Sequence, residues 1–325
     1  MDLGTPTWYI TYFYVIGVFS FALNLAVILL VIYKSESIDN FKYYILAFQV
    51  FCMLADFHIS LLVQPMYLFQ FMTYSCVGPA ATYMWANYLL ITTHLLLGIQ
   101  YVLLFLCFAR RHQAIAKIKQ HHVIPEILFN SFIAFELACP VAACICYFYT
   151  GVEQEKVEGF IDQMYPDHKT ELLSLQNYVI YRENTVYMIF FVIFKMLAGS
   201  LVFLLIALAT LDMQKMLSPV RRKLSIQNYN HHKKVINSLL AQFAAVLVLL
   251  LPGLAFYTTR LYPYETGKWI VNITWCIFQS RSSINSLVLL ASTPPYRNFL
   301  MRRLAGKREK VSTVVVSVHT RTGMN

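Results

Sequence analysis

The stretch WCIFQSRSSINSLVLLASTPPYRNFLMRR, Trp275 to Arg303, decides how the rest of the chain is read. It begins as an apolar run that nonetheless carries Arg281, Ser282, Ser283 and Asn285, breaks at Pro294 and Pro295, and continues as a basic segment. An arginine at bilayer depth is costly and is kept, as a rule, where it faces a protein interior and finds a partner. The run therefore predicts a membrane-spanning helix with one polar side turned toward other helices. The remaining sequence has to supply that interior, the partner and a cytoplasmic face.

Composition agrees with this reading. The chain has 325 residues, 58% hydrophobic and 13% charged, with a mean hydropathy of +0.55. Soluble domains are roughly half apolar and about a quarter charged, so these values place the chain in a membrane. Seven cysteines show neither metal-ligand spacing nor a disulfide framework. A net charge of +10 would suit nucleic acid if one soluble domain carried it. Here the bases lie between apolar runs, so membrane lipids and a cytoplasmic protein are the expected partners and nucleic acid is not. There is no HExxH, serine elbow or nucleotide loop, and no enzyme, metal site or cofactor is expected. Met1 to Trp8 lacks the basic n-region of a cleavable signal, so the first apolar run is expected to stay as a signal-anchor.

A spanning helix needs about 20 mostly apolar residues. Seven runs qualify: Tyr9 to Ile32, Tyr43 to Tyr67, Pro79 to Phe108, Ile124 to Tyr149, Val186 to Leu211, Val235 to Tyr257 and Trp269 to Ala291. The second is interrupted by Asp56 and His58 and kinked near its end by Pro65. Lys and Arg settle whether it counts. With the N-terminus outside, only Lys156, Lys169, Arg182, Arg260 and Lys268 fall in outer segments, whereas nineteen bases fall in inner ones; the other two, Lys195 and Arg281, are inside spans. That is the bias of the positive-inside rule, and losing the second span would invert it. The expected fold is an all-α membrane protein: a seven-transmembrane helix bundle, N-terminus outside and C-terminus inside, followed by a short cytoplasmic amphipathic helix. Residues 1–305 form this domain and 306–325 a basic, disordered tail. No internal repeat is visible, which weakens a transporter built from duplicated halves.

Four ionised side chains lie well inside spans: Asp56, Glu136, Lys195 and Arg281. Counting 1.5 Å per residue brings all four near the middle third of the bilayer. Two interhelical pairs are expected, Asp56 with Arg281 and Glu136 with Lys195; for the second, snorkelling into a wet cavity is an open alternative. Asn24, Asp56 and Asn285, on spans one, two and seven, fall at depths that allow them to meet, either as plain interhelical hydrogen bonds or, with Arg281, as a polar switch. His58 and His94 read as satisfied interior histidines or cavity lining. Met84, Asn87, Tyr88, Tyr257 and Thr258 occupy the outward halves of helices three and six and are, with Lys195, candidate ligand contacts; core packing explains the Met and Tyr residues equally well. Pro252 is a candidate hinge in the sixth span. The outer segment Thr150 to Thr185 holds seven acids and reads as an acidic lid or a solvated loop. It has no cysteine; Cys76 meets Cys144 or Cys146, or all remain buried free thiols.

On the inner side FARRHQAI follows the third span, Ser218 to Lys234 is basic with a possible kinase site at Ser225, and Tyr296 to Leu304 sets Phe299, Leu300 and Leu304 on one face among Arg297, Arg302 and Arg303. Together with FKYYILAFQVFCMLADFH at the second helix and SRSSINSLVLLASTPPYRNF at the seventh, these stretches resemble the nematode serpentine chemoreceptors of the Str superfamily, of the Sri or Srh type, over nearly the whole chain. The resemblance implies a G-protein-coupled receptor in the plasma membrane of sensory neurons, at the sensory cilium, responding to a small environmental molecule through a heterotrimeric G protein. It implies no enzyme activity. The wider rhodopsin-like pattern implies roles for Asn24, Asp56 and Asn285 as the polar residues of helices one, two and seven. Arg111 stands as the coupling arginine, with His112, Arg221, Arg222, Tyr296 and Arg297 on the coupling surface. Arg110 replaces the usual acid before that arginine, so the usual resting lock is not expected, and the fixed cation of Arg281 would displace a sodium ion from Asp56. The rival class is a seven-span transporter or ligand-gated channel that uses the buried charges as an ion path.

Overall fold

A computed structural model describes residues 3–34, 41–120, 122–220, 226–246, 262 and 264–304. Helix α1 spans Thr7–Lys34, α2 Phe41–Asp56, α3 Ala86–Lys119, α4 Glu126–Thr150, α7 Val186–Val220 and α8 Ile226–Val246; Tyr264–Gln279 (α9) and Arg281–Ser292 (α10) meet at Ser280. Among the described residues five helices are long and apolar enough to cross a membrane: Thr7–Tyr33, Phe41–Val63, Ala86–Ile118, Glu126–Thr150 and Val186–Met216. The sixth span, with Pro252, Tyr257 and Thr258, runs beyond Val246 and outside the described residues. The seventh is divided between α9 and α10. Helix α3 packs on α2, α4 and α7, while α1 packs on both α2 and α10, and α8 lies against α10 and α7. The ring of seven spans is thereby closed, as expected.

The second span ends earlier than the expected Tyr67. After Asp56 the backbone passes into a π-helical stretch, Phe57–Val63, in which the Gln64 amide bonds the Ile59 carbonyl at 2.8 Å. Gln64 then turns left-handed at φ 46° and Pro65, lacking an N–H, cannot prolong the helix. Pro65–Leu68 (β1) instead forms a hairpin with Thr73–Cys76 (β2), Pro65 opposite Cys76 and Leu68 opposite Thr73. Tyr178–Ile180 (β3) completes an antiparallel sheet in the order β1-β2-β3, with Thr73 opposite Ile180. This sheet is an addition to the all-helical expectation. Its strands escape notice in the sequence because they are short and as apolar as the span ends beside them.

The segment between α4 and α7 is an ordered lid over this end of the bundle. It carries α5 (Val157–Met164) and α6 (Lys169–Leu173) and buries Val152, Val157, Ile161, Leu172, Val179 and Ile180 in one core with Tyr9, Phe13, Met66 and Phe69. Its acids are solvated: Lys169 Nζ lies 2.8 Å from Asp162 and 3.0 Å from Glu158. Those bonds hold the Lys169 amine above its ordinary pKa. No disulfide ties the lid, since all seven cysteines are free. Asn177 does the tying: its Nδ2 donates to the Ala81 and Met84 carbonyls at 2.7 Å each, and its Oδ1 accepts the Ala86 amide at 2.8 Å, closing one of the open donors at the start of α3.

Two further cores lie deeper. Phe48, Val102, Phe105, Phe108, Val202, Ile206 and Leu239 join α2, α3, α7 and α8, and Val27, Val31, Ile45, Leu289, Leu290 and Tyr296 join α1, α2 and α10. Helices α3 and α4 touch backbone-close where Gly98 meets Pro140; a Cβ at Gly98 would fall 2.6 Å from the proline Cβ. Pro294–Leu304 (α11) follows α10 as a further helix, at the place expected for the amphipathic segment; the side chains of Leu300, Arg303 and Leu304 lie outside the described set.

Candidate functional site

At the centre of the bundle Asp56 is fully buried. It lies on the face of α2 that also carries Gln49, seven residues earlier, while α1 offers Ser20 and Asn24 and α10 offers Ser282 and Ser286, each pair four residues apart and so on one side of its helix. Ser20 donates to Asp56 Oδ2, and Asn24 Nδ2 donates to the same oxygen at 3.2 Å and to Ser282 Oγ at 2.9 Å. Asn24 Oδ1 in turn accepts from Ser286 at 2.6 Å and from Gln49, which also donates to Ser286. Three spans are thus bound by one polar network in which nearly every donor has an acceptor.

Arg281 approaches from the other side. Its Nη2 lies 3.7 Å from Asp56 Oδ1, its Nη1 donates to the Phe278 carbonyl at 3.3 Å, and its guanidinium sits 4.3 Å from the Phe278 ring centroid. The expected Asp56–Arg281 pair is therefore present, at ion-pair distance and short of a hydrogen bond. Asn285 does not join Asn24 and Asp56. It faces a small cavity lined by Phe48, Cys52, Gln100, Tyr101, Arg281 and Ser282, and neither of its amide atoms has a hydrogen-bond partner. The residues that bridge to helix one are Ser282 and Ser286; the four-residue spacing of serines in SRSSINS was the available signal.

The second expected pair is corrected by the structure. Glu136 is buried and its Oε1 accepts no hydrogen bond among the described residues, while Lys195 Nζ lies 2.9 Å from His94 Nδ1. Depth explains it. At 1.5 Å per residue, Glu136 lies about 21 Å below the lid end of α4, Lys195 about 14 Å below that of α7 and His94 about 12 Å below that of α3. Histidine and lysine share a level; glutamate lies a full helical turn deeper. His94 is held edge-on to Tyr147 at 4.7 Å and near Phe191 at 5.6 Å, and Lys195 lies 4.8 Å from the Phe191 ring centroid. Above it Tyr147 stacks on Tyr181 of the lid at 4.4 Å, and Tyr181 donates to Asn87 Oδ1 at 3.1 Å. Of the other candidate ligand contacts, Asn87 is buried against the lid, whereas Tyr88 is half exposed on the outside of α3 and Met84, also half exposed, precedes the helix. His58 is satisfied by the Leu89 carbonyl at 3.0 Å.

At the opposite end Arg111 is buried, with its guanidinium 5.7 Å from the Phe41 ring centroid. Arg110 is exposed and lies over Tyr44 and Phe129 at 5.2 and 4.7 Å. His112 Nε2 is 2.7 Å from Asp212 Oδ2, and His122 Nδ1 is 3.0 Å from the same oxygen. An acid from α7 therefore meets the residue after the arginine of α3, where the sequence lacks an acid before it. Asp212 was missed because it stands one residue beyond the expected end of the fifth span. Tyr296 is fully buried among Val27, Val31 and Ile45, and Arg297 is exposed. Arg221, Arg222 and Ser225 lie outside the described residues.

Three comparisons bear on what this arrangement is. A family model described as the serpentine type 7TM GPCR chemoreceptor Sri matches residues 1–300. The crystal structure of squid rhodopsin superposes with a TM-score of 0.60 at 10% identity, over 94% of this chain and 88% of that one, a likeness of fold. No curated protein matches the sequence.

Proposed function

Because the chain belongs to the serpentine seven-transmembrane chemoreceptor family Sri, we propose that its central polar network is the switch by which a small molecule bound near the lid controls a heterotrimeric G protein at the opposite end. Membership of that family makes it a multi-pass G-protein-coupled chemosensory receptor. The finer steps are this article's reading. The N-terminus and lid face outward, the RRH end of α3 faces the cytoplasm, and the receptor works in the plasma membrane of a sensory cilium.

One observation carries the mechanism: Ser20, Asn24, Gln49, Asp56, Ser282 and Ser286 tie spans one, two and seven through side chains that find other partners easily. A packed interior deforms between discrete arrangements rather than continuously. A ligand shifts such a balance only through its differential affinity for the two packings. Asn87, His94 and Lys195 stand on the lid side of that network, close to Tyr181 of the lid, and are the proposed ligand contacts; Met84 and Tyr88 are proposed at the rim, and Tyr257 and Thr258 on the sixth span. Asn285 and Arg281 border the cavity beside the network and complete the switch. At the inner end Arg111, His112, Arg221, Arg222, Tyr296 and Arg297 are the proposed coupling surface, with the basic tail 306–325 beyond it.

Arg111→Ala tests this directly. At equal surface expression in a reporter cell, ligand-evoked G-protein activation should fall to background; activation that survives removes Arg111 from the coupling surface. An N-terminal epitope tag should be reached by antibody on unpermeabilised cells. A tag seen only after permeabilisation would reverse the topology.

A further inference from the structure

Two bases lie inside the spans, and only one is answered by an acid. Arg281 has Asp56, whereas Lys195 has His94 and the Phe191 ring, with no carboxylate within ion-pair distance among the described residues. Its surroundings are unusual for a charge. Val192, Ile193, Met196 and Leu197, on the same stretch of α7, are all exposed, as is Lys195 itself. In a bilayer that flank is the lipid-facing side of the bundle, and the amine reaches from it into the seam between α7, α4 and α3. From the lid side the seam is closed by the stack of Tyr181, Tyr147 and Phe191, with successive ring centroids 4.4 and 4.5 Å apart. Access is therefore lateral, through lipid.

The geometry points to a lateral binding site for a free long-chain carboxylic acid, its carboxylate on the Lys195 amine and its tail along the exposed apolar flank of α7. The inference deepens the reading of Lys195 as a ligand contact and rests on it. A lysine ammonium has three N–H donors and no acceptor. His94 Nδ1 takes one of them, which leaves two for the two oxygens of a single carboxylate. Charge is the reason for an acid: an uncompensated ammonium at this depth is costly, and a carboxylate cancels it. An acid that arrives neutral and meets an uncharged amine forms the pair by passing one proton from its carboxyl to Nζ, so no net charge enters the hydrocarbon. The tail is the reason for a lipophile, because nothing polar flanks Lys195 on the exposed side: Val192, Ile193, Met196 and Leu197 offer only packing. Phospholipid phosphates stay near the interface, about 14 Å from the level of Lys195 by residue count.

The test uses the full-length receptor in phosphatidylcholine nanodiscs, with no G protein, and a photoactivatable analogue of palmitic acid as probe. Labelling should map to Val186–Met216 and be displaced by unlabelled palmitic acid but not by its methyl ester. Lys195→Met should reduce labelling about tenfold or more, the loss expected for a hydrogen-bonded charge contact, while Lys195→Arg keeps most of it. Displacement by the ester as effective as by the acid overturns the proposal, as does undiminished labelling of a folded Lys195→Met receptor. So does displacement by phosphatidylglycerol at the same concentration, which would make the occupant an ordinary anionic lipid. If Lys195→Met does not fold, acid against ester on the unmodified receptor decides alone. Binding is read without signalling, so a failed coupling test leaves this result standing, and its failure leaves the coupling surface untouched.

Discussion

Removing either member of the Asp56–Arg281 pair should cost unequally, and the inequality follows from what each keeps. The two charges stand 3.7 Å apart with side chains almost wholly buried. At an effective dielectric of 20, charges at that spacing attract by about 4 kcal/mol. Losing one partner of such a buried pair typically costs about 3–5 kcal/mol. Arg281→Gln leaves a carboxylate that still accepts from Ser20 and Asn24 and is able to take up a proton, so its loss should lie near the lower figure. Asp56→Asn leaves a guanidinium that holds its proton at any relevant pH, bonded only to the Phe278 carbonyl, with Nε and Nη2 unbonded. That loss should lie near the upper one. The double variant Asp56→Asn with Arg281→Gln buries no charge and should be more stable than Asp56→Asn alone. Thermal unfolding of receptor purified in one lipid composition, with surface expression in parallel, measures all four forms. If the double variant shows the sum of the single losses, the two residues do not interact and the pair is refuted. A charge swap is the poorer test here: an arginine at position 56 would face the donors of Ser20 and Asn24 and restore little.

Three further outcomes are expected. Gly98→Ala should force α3 from Pro140, whose ring offers no flexible end to yield, at a cost of about 1–3 kcal/mol seen as a lower unfolding temperature. Asn177→Ala removes two donated bonds and one accepted bond between lid and α3, at about 1 kcal/mol each, so hydrogen exchange should quicken across residues 177–181 and the start of α3 while the inner end is unchanged. Asp212→Asn weakens the carboxylate contact to His112 and His122 and should raise ligand-independent G-protein activity, roughly threefold or more on the scale of one charge-assisted hydrogen bond; unchanged basal activity would deny it a locking role.

Hydropathy and the distribution of bases were sufficient for the seven spans, because both depend on sums over many residues. The Asp56–Arg281 pair was legible for a different reason: so few charges occur at depth that each narrows the choice of partner. Glu136 and Lys195 satisfied the same rule of opposite sign on neighbouring helices, yet lie at different levels, and a difference of about one helical turn is within the uncertainty of span ends. Asn285 misled through its residue type, since facing direction depends on which side of α10 meets helix one. Serine and glutamine carried most of the network and drew little notice, being common in apolar helices. The three strands were hidden in the boundary between spans two and three, where Pro65 gave the one local sign that a helix must stop.

The π-helical passage Phe57–Val63 also carries a consequence for length. It begins directly after the buried carboxylate and ends two residues before the first strand. A π turn stores an additional residue without lengthening the route, so this passage is wound with slack. Deleting a single residue between Asp56 and Pro65 would let it rewind as ordinary α-helix, turning one end against the other by about 100°. The membrane-centre acid and the sheet above it are keyed by residue count, and insertions or deletions there should harm the receptor more than most exchanges of side chain.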